Sequence, residues 1–165
     1  MTYDSLNDLL ISYEQTDPSD LFEYDYSFFT LFYETFKDKP VSDIPDVAFM
    51  FMEIDGWQGM CQRCGVWQYY ENISYECEKA ERVINYLRSH NENEMADIYA
   101  YGIHDYCSYV HDDDMSEYEV GYPQEWLDES DKIDNWIMDN EEHIYAFKRD
   151  LIISHKAEIL DLAEE

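Results

Sequence analysis

Carboxylates dominate one stretch of the sequence, residues 89–147, which contains 17 acids and a single base, Lys132. Carboxylates at this density can bind metal ions, act as general acids and bases, or pair with the Lys and Arg side chains of another protein. Aromatic residues, which a folded core buries, are interleaved with the acids. They are Tyr106, Tyr109, Tyr118, Tyr122, Trp126 and Trp136. We therefore expect a folded element that presents negative charge, and not a disordered acidic tail.

The acids do not match a metal-binding or catalytic pattern. Asp112-Asp113-Asp114 lacks the alternating D-x-[DN]-x-[DN]-G spacing of a calcium loop. Paired carboxylates for glycoside hydrolysis have no diagnostic value in a chain with acids everywhere. No serine lies in a nucleophile-elbow context, and no Gly-rich loop follows a predicted strand. We predict a protein that is not an enzyme and needs no cofactor or metal. The alternative from another functional class is a metal-binding protein or a metal-dependent hydrolase.

The four cysteines, Cys61, Cys64, Cys77 and Cys107, include one C-x-x-C pair. A thioredoxin-type pair follows a strand, and none is predicted here. A structural zinc site needs four ligands, and the sequence has no second C-x-x-C and no H-x₃-H. We interpret the cysteines as small, buried, reduced thiols, with zinc binding and redox chemistry as open alternatives.

A net charge of −29 far exceeds the magnitude of roughly 2–8 that keeps a small domain soluble. Such charge destabilises the compact state through self-repulsion, and a cationic partner is the simplest compensation. The charge is concentrated, because residues 1–36 contain eight acids and no base while residues 37–88 are nearly balanced. Halophilic adaptation would spread acid more evenly over the surface, which makes it the weaker interpretation.

Nothing in the sequence points to a membrane or to export. Met1-Thr2-Tyr3-Asp4 has neither the basic nor the apolar region of a signal peptide. No apolar run approaches the roughly 18 residues of a membrane span, and anionic lipid surfaces would repel the chain. We expect a cytoplasmic protein.

Apolar residues recur at helical spacing in nearly every segment, and no alternating strand pattern stands out. The predicted helices begin with one near the N-terminus capped by Ser5 and continue over 21–36, 47–54 and 60–70. A Ser74-capped helix runs to 89, one capped by Asn91 and Asn93 ends at Asp112-Asp113-Asp114, another starts at Tyr122-Pro123, and the last helices cover 141–162. Gly56 and Gly59 are expected to separate two of them, and Phe22, Cys77 and Ile103 to face inward. The predicted fold is all-α, a single compact multi-helix domain of about seven to nine helices over residues 1–165.

Acids on neighbouring helices can imitate the charge of DNA. Acids at i, i+3 and i+4 lie on one helix face about 5–6 Å apart, and packed helices lie about 8–10 Å apart. Twin rows of carboxylates would then resemble phosphate rows and engage a protein that neutralises phosphates with Lys and Arg. The predicted partner-binding residues are Asp17, Asp20, Glu23, Asp25, Glu92, Glu94, Asp97, Asp112, Asp113, Asp114, Glu117, Glu119, Glu125, Asp128, Glu129, Asp131, Asp134, Asp139, Glu141 and Glu142.

Residues 64–72 read Cys-Gly-Val-Trp-Gln-Tyr-Tyr-Glu-Asn. This stretch resembles the motif Gly-Gly-Phe-x-Gln-Tyr-Phe-x-Asn of a family of small acidic bacterial DNA-mimic proteins. The matching positions are Gly65, Gln68, Tyr69 and Asn72, with Tyr70 a near match. Cys64 and Val66 depart from the motif, and Gln62-Arg63 stands where the family often has an Asn pair. The resemblance spans residues 45–162.

The resemblance implies an all-α fold, a homodimer, and binding in the manner of DNA to a helix-turn-helix repressor or a histone-like nucleoid protein. The motif itself is predicted to be structural, with Gly65 letting helices approach and Gln68 and Asn72 bonding local backbone. We therefore predict a DNA mimic that binds no nucleic acid itself, blocks its partner's DNA-binding site and so modulates gene expression. The nearest alternative is a phage or plasmid decoy against restriction or CRISPR enzymes.

Overall fold

The structure is a computed structural model that describes residues 2–109 and 121–162. These two ranges contain nine α-helices and no strand, which confirms the predicted all-α fold. The helices are α1 (Tyr3–Gln15), α2 (Phe22–Phe36), α3 (Asp46–Arg63), α4 (Trp67–Ile73), α5 (Cys77–Ser89), α6 (Asn93–Tyr101), α7 (Gln124–Asp139), α8 (Glu141–Ser154) and α9 (Lys156–Asp161), with short 3₁₀ helices at Pro18–Asp20, Val41–Asp43 and Tyr106–Ser108. No helix within the described ranges is long and apolar enough to cross a membrane.

The chain divides into two compact units. The first unit comprises residues 1–55 and 140–165, and the second comprises residues 56–139. Helix α3 contributes to both, since the boundary falls within it after Asp55. The predicted organisation as a single domain stays a prediction.

Aromatic side chains form the core of the first unit. Tyr13 of α1 packs edge-on against Phe28 of α2 with 4.8 Å between ring centroids, and Phe32 meets Phe51 of α3 at 5.7 Å. Phe28, Phe32 and Phe36 recur at intervals of four residues, so they share the buried stripe that makes α2 amphipathic. The sequence predicted a mostly buried helix over residues 21–36, and these three phenylalanines are among the residues on which that prediction rested.

A buried ionic cluster lies within the same unit. The Lys148 ammonium of α8 donates hydrogen bonds to the carboxylates of Asp25 and, at 2.9 Å, Asp55. Tyr13 donates its hydroxyl proton to the second oxygen of Asp25 at 2.8 Å. Lys148 is 1% exposed and lies 4.6 Å from the centroid of the Tyr145 ring. Because a buried charge needs partners, this cluster fixes α2, α3 and α8 in one arrangement.

Hydrogen-bonded aromatic side chains form the core of the second unit. Trp57 donates its indole N–H to the Tyr70 hydroxyl at 2.9 Å, and that hydroxyl donates to the Tyr99 carbonyl at 2.9 Å. The Tyr69 and Tyr99 hydroxyls bond each other at 2.8 Å. Every one of these polar atoms is therefore satisfied although it is buried. Burial raises the pKa of Tyr70 well above its usual range, so its phenol stays protonated.

The break predicted at Gly56 and Gly59 is wrong, because α3 continues through both glycines to Arg63. An isolated glycine costs a helix only about 1 kcal/mol relative to alanine, which the buried side chains around it can offset. The chain turns instead at Gly65, whose φ of 98° lies in the left-handed region. The predicted helix over residues 60–70 is thus divided between α3 and α4.

Several predicted caps also differ from the structure. Thr2, not Ser5, caps α1 by accepting a hydrogen bond from the Ser5 backbone N–H. Helix α5 begins at Cys77 and not near Ser74, which instead closes α4. Asn91 ends α5 with φ 66°, and the Glu92 N–H bonds the Leu87 carbonyl at 2.9 Å. This is the left-handed asparagine cap of a helix C-terminus, so Asn91 does not start the next helix.

Three residues predicted to face inward are exposed. Cys77 lies at the first position of α5, and Phe22 at the first position of α2. Ile103 follows the end of α6 at Tyr101, so it no longer shares the buried face of that helix. The predicted helix end at Asp112-Asp113-Asp114 lies outside the described residues.

Candidate functional site

Two helices of the second unit expose carboxylates side by side. Helices α6 and α7 pack against each other, and the Trp136 indole of α7 donates a hydrogen bond to the Glu94 carboxylate of α6 at 3.0 Å. The exposed predicted acids on these helices are Glu94, Asp97, Glu125, Asp128, Asp131 and Asp139. We call this set the α6–α7 acidic face. It comprises six of the predicted partner-binding residues, on two helices that pack against each other.

The sequence of α7 explains why four of its acids, Glu125, Asp128, Asp131 and Asp139, face outward. Ser130, Ile133 and Ile137 recur at helical spacing and form its buried stripe. The helix starts after Pro123, whose carbonyl accepts from the Trp126 N–H at 3.0 Å. These four acids lie on the exposed arc of the helix, whereas Glu129 and Asp134 are half-buried. The amphipathic pattern of α7 therefore positions its part of the acidic face.

The acidic face is little neutralised by its neighbours. Glu125, Asp131 and Asp139 have no ion-pair partner among the residues that the structure describes. Arg88 pairs with Asp97 at 3.1 Å, and both side chains are more than half exposed. Lys132 lies on α7 with its ammonium 5.8 Å from the centroid of the Tyr101 ring. The field of this face is consequently negative, which favours encounter with a cationic surface.

Two predicted acids of α7 are used inside the second unit. Glu129 bonds the His104 imidazole at 2.6 Å, and only 13% of its side chain is exposed. Asp134 accepts a hydrogen bond from the Val66 backbone N–H at 3.0 Å, next to a bond from the Trp67 N–H to Ser130 at 3.0 Å. Ser130 and Asp134 of α7 thus cap the start of α4. Burial raises the pKa of the Asp134 carboxyl.

Replacing Asp134 separates its capping role from its charge. Asp134→Ala should lower the free energy of unfolding by about 0.5–2 kcal/mol, the usual cost of a lost helix cap. Asp134→Asn keeps an oxygen for the Val66 N–H and should be nearly neutral at acidic pH. Since burial raises the folded-state pKa above the usual value of 3.8, the wild type should lose stability relative to the Asn variant as pH rises. Denaturant unfolding from pH 4 to pH 7 measures both effects.

The control for Asp134 is Asp128, an exposed acid on the same helix whose carboxylate, among the residues that the structure describes, accepts only from Gln124. Asp128→Ala should change the free energy of unfolding by no more than about 0.5 kcal/mol. Equal losses in Asp134→Ala and Asp128→Ala would contradict the capping role.

The other predicted acids that the structure describes belong mainly to the first unit. Asp17, Asp20, Glu23, Glu141 and Glu142 are exposed there. Glu92, in the second unit, is half-buried between α5 and α6. The predicted partner-binding acids are therefore divided between two units, and we treat the α6–α7 acidic face as a surface of its own.

The assignment of Asp25 to a partner-binding surface is wrong. Asp25 is 5% exposed, and its two oxygens are taken by Lys148 and Tyr13. Burial raises the pKa of its carboxyl, while the Lys148 ammonium opposes that shift. A carboxylate held in this way cannot meet a partner. Its position four residues after buried Leu21 was the sequence signal that it faces the core.

Five predicted acids lie outside the described residues, as does the aromatic residue Tyr118 between two of them. These acids are Asp112, Asp113, Asp114, Glu117 and Glu119.

The interpretation of the cysteines as buried is wrong for three of the four. Cys64, Cys77 and Cys107 are exposed and Cys61 is half-buried, and none of the four forms a disulfide within the described residues. The C-x-x-C pair spans the end of α3, where Cys64 donates to the Gln68 side chain at 2.8 Å. Within residues 2–109 and 121–162, no three His, Cys, Asp or Glu side chains come together in a way that could hold a metal ion.

The motif at residues 64–72 has a different structural role from the one expected. A Cβ on Gly65 would lie 2.9 Å from the Trp67 ring, and the φ of 98° itself favours glycine. Gly65 therefore serves the turn that aims the start of α4 at α7. Gln68 bonds a thiol, not backbone, and Asn72 is exposed. The polar residues that complete this turn, Ser130 and Asp134, lie more than sixty positions away in sequence, and this role was not predicted for either of them.

Comparison of the chain with protein-family models, with curated proteins and with solved structures found no match. The resemblance to the DNA-mimic family therefore rests on the motif at residues 64–72 and on the acidic composition.

Proposed function

We propose that this protein is a cytoplasmic DNA mimic whose α6–α7 acidic face occupies the DNA-binding site of a basic protein. The observation that carries the proposal is the pairing of two packed helices that both expose carboxylates. Glu94 and Asp97 are three residues apart on α6, and Glu125 and Asp128 are three apart on α7. Residues so spaced lie about 5–6 Å apart on one helix face.

The dimensions of the face fit a phosphate-binding groove. At 1.5 Å per residue, the stretch from Glu125 to Asp139 covers about 21 Å, about two-thirds of a turn of B-DNA. A phosphate-binding protein places Lys and Arg side chains along such a length, and carboxylates accept the same charge-assisted hydrogen bonds as phosphates. The acids are sparser than phosphates, so the match is in the sign and the arrangement of charge.

Binding would act by competitive exclusion and without chemistry. Acids at the centre of the interface fix the register of the complex, while acids at its rim mainly speed encounter. The partner of this class is a transcriptional repressor or a histone-like nucleoid protein, and its displacement from DNA would change gene expression. The family resemblance further implies that the protein is a homodimer, which sedimentation equilibrium would reveal.

The proposal is tested by finding a partner and then reversing charge. The protein is immobilised, exposed to host lysate at low and high salt, and any captured protein is challenged with duplex DNA. A single DNA-binding protein that is released by salt and by DNA is the expected result, because the contacts are electrostatic.

Reversing Glu125, Asp128 and Asp131 to Lys should weaken binding of the captured DNA-binding protein, once purified, by at least about 100-fold. This corresponds to roughly 1 kcal/mol for each reversed contact. The affinity is measured by isothermal titration calorimetry. Helix content should be unchanged, since all three residues are exposed.

A matched control reverses three exposed acids of the first unit, Asp8, Glu158 and Asp161, and changes the net charge by the same amount. It should weaken binding only a few-fold, through the loss of long-range attraction. If both triple variants lose affinity equally, net charge and not the α6–α7 acidic face governs binding. If no basic protein is captured at all, the charge is better explained by adaptation to high salt.

A further inference from the structure

Helix α2 of the first unit carries an exposed row of aromatic side chains. In the part of the chain that the structure describes, Phe22, Tyr26 and Tyr33 are 56%, 78% and 49% exposed. Half-buried Phe29 lies between them and stacks on Tyr33, with 6.0 Å between centroids and 8° between the planes. We call Phe22, Tyr26, Phe29 and Tyr33 the α2 aromatic seam. A single exposed aromatic is ordinary, but three exposed aromatics and a half-buried one in register on one helix are not.

The spacing of the seam is that of a helix–helix contact. Its residues are separated by four, three and four positions, and Phe36, the next at three, is buried. This alternation of three and four is the heptad pattern by which one helix packs along another. The core of the first unit uses a different stripe of α2, namely Phe28 and Phe32. The seam is thus a second apolar stripe, next to the buried one.

The charge around the seam selects the kind of helix that fits. Residues 1–36 contain eight acids and no Lys or Arg, and Asp20, Glu23 and Glu34 are exposed beside the seam. Lys37, just past the end of α2, lies 6.0 Å from the centroid of the Tyr33 ring at one end of the seam and already pairs with Glu34 at 2.5 Å. Two copies of α2 would bring like charges together, which is unfavourable. Helices that lie on membranes need Lys and Arg beside the apolar face, and α2 has none.

We propose that the α2 aromatic seam docks an amphipathic helix of a cationic protein. The apolar stripe of that helix would cover Phe22, Tyr26 and Tyr33, and its flanking Lys and Arg side chains would pair with Glu23 and Glu34. Arg side chains have a further favourable contact, because a guanidinium stacks on an exposed tyrosine ring. This inference goes beyond the proposed function, since it concerns the other unit and depends on apolar contact as well as charge.

The test uses a fluorescent synthetic peptide of about 15 residues, built only of leucine and lysine with leucine at heptad spacing. Its affinity for the full protein is measured by fluorescence anisotropy at physiological salt. The double variant Phe22→Ser/Tyr26→Ser should bind the peptide at least about tenfold more weakly, because aromatic anchors carry most of such binding energy. Circular dichroism should show unchanged helix content, and the single variant Tyr26→Ser, at the most exposed position, should give an intermediate loss.

Two controls separate the seam from general attraction to a negative protein. A peptide of the same composition in scrambled order has no apolar stripe, so it should bind weakly and equally to wild type and double variant. Glu125→Gln/Asp128→Asn on α7 should leave binding of the patterned peptide within about twofold. The α7 variant should instead weaken binding of the basic partner under the proposed function, so each proposal can fail without the other.

Two outcomes would overturn the inference. One is equal affinity of the patterned peptide for wild type and the double variant, which would mean that charge alone attracts it. The other is a wild-type protein that self-associates in sedimentation while the double variant is monomeric. The seam would then be the contact between two copies of this chain.

Discussion

Replacing Lys148 by methionine is expected to lower the free energy of unfolding by about 3–5 kcal/mol, the usual cost of removing one partner from a buried ion pair. Methionine keeps most of the apolar stem, so the loss comes from the charge. The change leaves the buried carboxylate of Asp25 and the partly buried carboxylate of Asp55 without their shared cation. Urea unfolding monitored by circular dichroism measures the effect.

The pH dependence of the Lys148→Met deficit follows from Asp25. Burial already raises the pKa of its carboxyl, and Lys148 is the main group that lowers it. Without the ammonium this pKa rises further in the folded state, so the fold takes up a proton more readily than the unfolded chain. The stability that this protonated Asp25 carboxyl contributes is present at low pH and is lost as pH rises through its folded-state pKa. The deficit should therefore be smallest at about pH 4 and grow toward neutral pH.

Two further variants identify the cause of the loss. Lys156→Met removes a lysine of the same unit that lies 4.0 Å from Glu14, with both side chains partly exposed. It should cost less than about 1 kcal/mol, as exposed ion pairs do. Asp25→Asn added to Lys148→Met removes the stranded charge and should recover part of the stability. A deficit of the same size in Lys156→Met would mean that burial of Lys148 is not what matters.

Local periodicity was enough to predict most helices of this fold. The buried stripe of α2, the start of α7 after Pro123 and the helices after residue 141 all follow from apolar spacing and simple stop signals. Most errors fall at helix ends, and for one of these ends the decisive contacts are distant in sequence. The start of α4 is capped by Ser130 and Asp134 of α7, and a local pattern cannot show that.

The candidate site was predictable only in part, because the same residue type serves opposite roles. Asp128 and Asp25 are both helical acids, yet the first is exposed and the second is buried against Lys148. Helical spacing places Asp25 on the same face as buried Leu21, but the lysine that pairs with it lies 123 positions away, and no spacing rule reveals that partner. Aromatics pose the same problem, since Phe28 and Phe22 lie on one helix and only Phe28 is in the core.

Placing a methyl group at Gly102 is expected to be strongly destabilising, by about 1–3 kcal/mol or more. Gly102 closes α6 with φ −86°, an angle that alanine adopts without strain, so the effect is purely steric. An added Cβ would overlap the ring of Tyr70 and lie 2.8 Å from the Ile133 side chain. Thermal and urea unfolding of Gly102→Ala measure the loss.

The Tyr70 ring has little freedom to make room, which is why the loss should be large. Its hydroxyl is fixed by Trp57 on one side and by the Tyr99 carbonyl on the other. Gly59→Ala is the matched control, since Gly59 lies inside α3 and nothing is within 4 Å of its added Cβ. That variant should gain about 0.5–1 kcal/mol from helix propensity alone. The same substitution would thus have opposite signs in one unit. If Gly102→Ala were as stable as the wild type and the tryptophan fluorescence of the protein were unchanged, the close packing of Gly102 against the Tyr70 ring would be contradicted.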